Sequence, residues 1–243
     1  MNFAAVYDRY MDNIPYDKWA SNIKKLFDEY KLPSEVVCEL GCGTGQMTRR
    51  LKKLGYDMIG IDLSNEMLMQ AVNNADSHGI LYLCQDMRDI ELYGTVGAMV
   101  SVCDSMNYLE DCDDLLKVFE GVNTYLDENG LFIFDMKTVH FYEKLGCSTI
   151  AENRENGSFI WENDYDVNTR DNEYYLTFYE ENEDGTFDRF EEEHLQHAFL
   201  VEEVEDAIKK SGLELLEILD ATTLNTPDSE CDRLLFIVRE VSK

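Results

Sequence analysis

The chain predicts an α/β fold built on a parallel sheet, with an antiparallel β insertion in its second half. Three observations predict it. A short apolar run, Val36–Leu40, leads into glycines at alternate positions, Gly41, Gly43 and Gly45, and then into a helical stretch. Apolar runs and helix-period segments alternate from residue 36 to 135. From 149 to 200 the helical period is lost and strand-like runs separated by turn residues replace it, before a helix and a final pair of strands.

The 243 residues fit one large domain, or a domain with a substantial insertion, and 44% hydrophobic content suffices for a core. No apolar run approaches the ~20 residues that a membrane span requires. The first ten residues lack a basic region followed by an apolar one and do not read as a secretory signal. The seven cysteines are scattered and form no Cys-x-x-Cys pair, so no metal site is expected, and buried reduced thiols in a cytoplasmic protein are the plain reading. A net charge of −29 argues against nucleic acid, which needs a basic stripe along its phosphates.

Residues 2–12 and 16–31 read as helices separated by Pro15. In the second, Trp19, Ile23, Leu26, Phe27 and Tyr30 recur at helical spacing and give one apolar face. Tyr7, Tyr16 and Trp19 either pack this arm on the domain or contribute aromatic contacts as a cap over a ligand. After the glycine turn comes a helix over 46–54, with Gly55 as its stop. Strand two, Met58–Asp62, ends in an acid 17 residues beyond Gly45, where a carboxylate can accept both hydroxyls of a ribose. Ser64 caps the next helix, which runs to about Ala75 with Met67, Leu68, Ala71 and Val72 inward. Strand three is Ile80–Cys84. Asp86 follows it and can cap the turn Met87–Ile90. Strand four, Val96–Cys103, leads to the loop Asp104–Leu109 at the carboxyl edge, where open α/β sheets bind ligands. A helix over 111–126, a turn at Asn129-Gly130 and strand five over 131–135 complete the alternation.

The insertion shows strands over 158–167, 174–181 and 187–200, with hairpin turns around Asn168–Asn172 and Asn182–Gly185. It reads as an antiparallel lid across the carboxyl edge. Residues 151–206 carry 19 acids against three arginines, over half of the net charge. A helix over 201–211 and strands over 213–219 and 233–239 close the chain. The division expected is a main domain of 1–145 and 201–243 with a lid of 146–200.

The order Glu39-Leu40-Gly41-Cys42-Gly43-Thr44-Gly45 closely resembles motif I of the class I S-adenosylmethionine (SAM)-dependent methyltransferases. It does not fit the dinucleotide fingerprint, which would need glycine at Gln46. Acids at three successive strand ends, Glu39, Asp62 and Asp86, stand in register with the glycine turn and extend the resemblance over nearly the whole chain. The resemblance implies a Rossmann-like seven-stranded sheet, mostly parallel with an antiparallel last strand. It implies that Glu39 and the Gly41–Gly45 backbone, with Cys42, hold the methionine end of SAM. Asp62 and Leu63 would take the ribose, Asp86 and Met87 the adenine, and Cys103 would border the cofactor, with Tyr7, Tyr16 and Trp19 closing over it.

The layout is most similar to bacterial amino-sugar and glycine N-methyltransferases, and the Asn-Pro-Pro-Tyr signature for amino groups of nucleobases or glutamine is absent, since residues 104–107 are Asp-Ser-Met-Asn. The expected reaction is in-line methyl transfer to the nitrogen or oxygen of a small molecule, with S-adenosylhomocysteine (SAH) as product and the protein a monomer or homodimer. Asp104 and Asn107 are candidates to face the acceptor. On a continuous strand Leu195, His197 and Phe199 share one face; if that face is inward, His197 is the candidate base. A protein or RNA methyltransferase and a non-catalytic SAM-binding module are the alternative readings.

Overall fold

A computed structural model describes residues 3–11, 14–155 and 157–243. Two sheets make up the architecture. The larger takes strands β1 (Val36–Leu40), β2 (Asp57–Asp62), β3 (Leu81–Cys84), β4 (Val96–Ser101), β5 (Leu126–Lys137), β10 (Leu213–Asp220) and β11 (Arg233–Glu240), in the spatial order β10-β11-β5-β4-β1-β2-β3. β1 to β5 pair in parallel, whereas β11 runs antiparallel to both β5 and β10. That reversal has a consequence for the site. The start of β11, at Arg233, lies beside Lys137 at the carboxyl end of β5, on the edge where the parallel strands end.

The sheet is buried on both faces, which explains why its central strands are continuously apolar. Alternate residues of β5 face opposite sides. Phe132 and Phe134 pack with Phe119 and Val122 of helix α5 (Cys112–Tyr125) and with Ile208 of α7 (Val201–Lys210). Leu131 and Ile133 pack with Ile23 and Phe27 of α2 (Tyr16–Tyr30) and Leu51 of α3 (Gln46–Lys53). Along β5 and across to β11 the rings of Phe132, Phe134 and Phe236 stack in series, each 4.8 Å from the next.

The second sheet, β6-β7-β8-β9, is an antiparallel meander of Ser148–Arg154, Gly157–Asp166, Asp171–Glu181 and Phe187–His197. Two helices attach to it. α1 (Phe3–Tyr10) packs Val6 and Tyr10 against Phe159 and Phe178. α6 (Val139–Leu145) packs Tyr142 against Tyr165 and Tyr174. α1 also reaches the main domain, because Thr44 donates to Asp8 at 2.6 Å while Tyr10 donates to Glu180 of β8 at 2.6 Å.

Several expectations need correction. The first helix is Phe3–Tyr10, and positions 2 and 12 of the expected span lie outside the described residues. Helix α4 (Asn65–Asn73) stops short of Ala75 and turns Val72 outward, 58% exposed, since only Leu68 and Ala71 fall on its buried stripe. β4 ends at Ser101, because Cys103 and Asp104 leave the extended region. Asn129-Gly130 lies inside β5, which begins directly after α5. α6 and β6 are additional elements. β6 is an exposed edge strand of mixed polarity, so it carries no alternation to read. Cys84, Cys112 and Cys147 are exposed, so burial does not explain all seven thiols. Among the described residues no helix is long and apolar enough to cross a membrane.

Phe134 is fully buried at the centre of the ring stack. Phe134→Ala is expected to destabilise the protein by about 3–5 kcal/mol, read as a shift in the urea unfolding midpoint without a comparable change in slope.

Candidate active site

The carboxyl edge of the parallel strands opens into one cavity of about 1280 Å³, bounded by the glycine turn at one end and by the second sheet at the other. At the first end the turn is shaped by its glycines. Gly41, Gly43 and Gly45 have φ of 69°, 52° and 77°, a region that residues with a Cβ rarely enter. Gly43 is open to the cavity, with nothing within 4 Å of where a Cβ would sit. Asp62, at the end of β2, accepts from the Gly43 amide at 2.7 Å and the Ser64 amide at 2.8 Å, which fixes the turn to its neighbouring strand. Burial raises its pKa above the ordinary carboxylate value.

Glu39 is buried beneath the turn and accepts from the Thr48 hydroxyl. Burial pushes its pKa up to about 8; the Thr48 bond opposes the shift and the Asp62 charge reinforces it. Asp86 lines the cavity and also organises its own turn. It accepts from the Arg88 amide at 2.9 Å and holds the Arg88 guanidinium through both oxygens. The capping expectation therefore describes this side chain, and any ligand contact shares it with Arg88.

The far end is held by a buried charge network drawn from distant parts of the chain. The Asp104 carboxylate pairs with Lys137 at 2.9 Å and Arg233 at 2.7 Å, and accepts from the Gln196 amide at 2.8 Å. Burial alone would raise its pKa, but the two cations overcome that and hold it down at about 2. The Gln196 carbonyl in turn accepts from the hydroxyls of Tyr142 at 2.8 Å and Tyr174 at 2.7 Å. Tyr108, Trp161, Phe178 and His194 supply further walls of this end. Burial lowers the pKa of His194, favouring the neutral imidazole.

Most of the expected residues meet in this one cavity. Glu39, Gly41, Cys42, Gly43, Asp62 and Leu63 line it from the first two strand ends, and Asp86, Met87, Cys103 and Asp104 from the next two. Tyr7 and Tyr16 line it from the N-terminal helices. Four expectations differ. Gly45 is a packing glycine, where a Cβ would fall 2.5 Å from the Tyr82 hydroxyl. Trp19 lies over the Arg233 guanidinium, 5.4 Å from ring centre to carbon, and approaches the cavity through it. Asn107 is fully buried and clamps backbone: it donates to the carbonyls of Lys137 and His197 and accepts from the Lys137 amide.

His197 sits on the outer face of the lid, bonded to Asp171 at 2.7 Å. Leu195, on the same face, is 47% exposed, and the inward residues of β9 are His194 and Gln196. The condition set on that face is not met: β9 is the edge strand of its sheet, and its register turns His194 and Gln196, not Leu195 and His197, toward the cavity. Lys137, Gln196 and Arg233 were missed. The available signal was charge at the ends of otherwise apolar strands, in Leu131–Lys137 and Arg233–Val238.

Comparison with known proteins gives a consistent family. Residues 37–130 match the family described as "Methyltransferase domain". The chain is 36% identical over 238 residues to "Putative methyltransferase YqeM" of Bacillus subtilis (strain 168), covering 96% of this chain and 94% of the relative. A crystal structure of a SAM-dependent methyltransferase from Clostridium acetobutylicum ATCC 824 superposes with a TM-score of 0.89 at 28% identity, covering 99% of this chain and 98% of that one. The sugar N-methyltransferase KedS8 from Streptoalloteichus superposes at 0.81 with 18% identity, over 98% and 93% of the two chains, a likeness of fold.

The protonation of Glu39 makes stability depend on pH. The unfolded chain ionises this residue from about pH 4.5 upward, while the folded one keeps its proton until about pH 8. The folded state thus binds the extra proton, and this contribution to stability is complete below 4.5 and lost as pH rises through the window. Glu39→Gln is expected to remove that loss. In urea unfolding, the variant's stability relative to the parent should climb between about pH 4.5 and 8.

Proposed function

The chain belongs to the class I SAM-dependent methyltransferases, and from that premise we propose that it methylates a small molecule, with a neutral amine nitrogen as the favoured acceptor. The observation that carries this reading is the single cavity that joins the glycine turn to an aromatic-walled end beneath the second sheet. SAM carries an ammonium and a sulfonium, and the cavity offers it the carboxylates of Asp62 and Asp86 and the buried acid Glu39. The open face of Gly43 gives room for close approach to the backbone.

When bound, SAM supplies a methyl group already activated for in-line transfer. The work left to the chain is to bind, orient and exclude water. In this reading Asp62 and the turn hold the ribose and the amino-acid end, and Met87 and Asp86 border the adenine. Tyr7, Tyr16 and Tyr108 enclose the junction between the two ends.

The preference for nitrogen follows from the available proton acceptors. Asp104, pinned between Lys137 and Arg233 with its pKa at about 2, is a poor base. An amine that arrives neutral needs none. KedS8, a sugar N-methyltransferase with the same fold, is in keeping with this choice. An oxygen acceptor is the second reading, favoured by the neutral imidazole of His194 at the acceptor end. A macromolecular acceptor fits less well, because the lid bounds the cavity and the chain carries −29. A purely SAM-binding module leaves the aromatic end without a purpose.

Calorimetric titration with SAM, SAH and NAD tests the reading first. Micromolar binding of SAM and SAH without NAD is expected, followed by transfer of labelled methyl to members of a panel of small amines and amino sugars. Binding of NAD alone would overturn it. Asp62→Ala is expected to cost SAM affinity about 1.5–3 kcal/mol, roughly a 10- to 150-fold rise in Kd. With an acceptor in hand, His197→Ala should leave the pH–rate profile unchanged. If the acceptor atom is oxygen, His194→Ala should remove the profile's acidic limb.

A further inference from the structure

Cys103 and Asp104 follow β4 with φ of 64° and 56°, two successive residues with side chains in the left-handed region. Such a pair persists only where its surroundings impose it. Here the imposing group is Asp135, a buried acid near the end of β5. Its carboxylate accepts from the Cys103 amide at 3.1 Å and from the Asp104 amide at 2.7 Å. Arg233 completes the arrangement. One end of its guanidinium donates to Asp135 at 2.8 Å and the other to the Asp104 carboxylate at 2.7 Å. The same guanidinium thus ties the side chain of the turn to the acid that holds the turn's backbone.

The turn lies between the two ends of the cavity. On one side the Ser105 hydroxyl donates to the Gly41 carbonyl at 3.3 Å, and a Cβ on Gly41 would fall 2.6 Å from the Ser105 Cβ, so the turn abuts the start of the glycine loop. On the other side Asp104 receives Gln196 from the lid. We infer that Asp135 and Arg233 are positioning residues that hold the left-handed Cys103–Asp104 turn, and through it set the glycine loop against the acceptor end. The inference rests on the methyltransferase reading of this cavity.

If Asp135 is replaced by Asn, one acceptor oxygen remains where two are needed, and the new amide faces N–H donors. The turn then relaxes toward negative φ and Ser105 shifts against Gly41. Glycine occupies the left-handed region without side-chain strain, so Cys103→Gly should hold the turn even without the carboxylate. The test is SAH affinity by calorimetry, with the thermal midpoint measured in parallel. Asp135→Asn is expected to weaken SAH binding at least about tenfold in folded protein, and adding Cys103→Gly to bring Kd back to within about threefold of the Cys103→Gly single variant.

Arg233→Lys keeps the charge but cannot span both acids. It should weaken binding roughly three- to tenfold and respond to Cys103→Gly in the same direction, which carries the test if Asp135→Asn does not fold. Unchanged affinity in the folded variants, or a weakened affinity that glycine fails to restore, would overturn the inference and leave Asp135 a residue of general stability. Failure of the parent protein to bind either SAM or SAH is a separate outcome. It would overturn the reading of the cavity and this inference together.

Discussion

The buried pairing of Arg233 with Asp104 and Asp135 is the constraint on which the cavity depends. It joins two strand ends, those of β5 and β11, and the loop after β4; both acids are buried and Arg233 is largely so. Buried ion pairs contribute little net stability against an apolar alternative, but removing one partner leaves a stranded charge and costs several kcal/mol, on the order of 3–5. Their value here is geometric. Arg233 reaches the carboxyl edge because β11 is antiparallel to its neighbours. A parallel last strand would begin at the opposite edge, and the two acids would lose the cation that bridges them, leaving only Lys137 on Asp104.

The two ends of the cavity are built by different means. The glycine end is largely backbone: three positive-φ glycines, the Gly43 amide on Asp62, and the Cys42 amide on the Ile61 carbonyl. Under the proposed function such a site suits what is common to every turnover, the cofactor. The far end is built of side chains on the lid and on the strand-end loops, with Tyr174, Gln196 and Lys137 locked to one another. α1 touches both ends, bonded to Thr44 of the turn and to Glu180 of the lid, so the enclosing elements and the glycine loop are mechanically linked.

This division explains what could be read from the sequence. Val36–Gly45 and the acids at 62 and 86 form a local pattern, because each group sits at or just beyond the end of its own strand. The alternation of the sheet was legible for the same reason, and so was the antiparallel closing pair. The Asp104 network was not, since its members stand at 104, 135, 137, 196 and 233 and meet only through topology. β9 failed for a different reason. Leu195 and Phe199 suggested an apolar inner face. Leu195 in fact looks outward from the sheet, and Phe199 lies past its end in the main core. On β9 the strand register, and not the apolar residues, decides which side chains face the cavity.

The same distinction governs the acidic charge of the lid. Glu162, Glu173, Glu191 and Glu193 are exposed, while Trp161, Tyr174, His194 and Gln196 look into the cavity. The strand period of two separates these sets onto opposite faces. The charge that dominates the sequence therefore lies in water, screened over roughly 8–10 Å at moderate ionic strength. The cations that reach the acceptor end, Lys137 and Arg233, are each matched by buried acids. Under the proposed function, an acceptor entering there meets aromatic walls and hydrogen-bonding groups. Its selection among small molecules would then rest on shape and on the groups of Tyr108, Tyr174 and His194, more than on the charge that lies on the outer face of the second sheet.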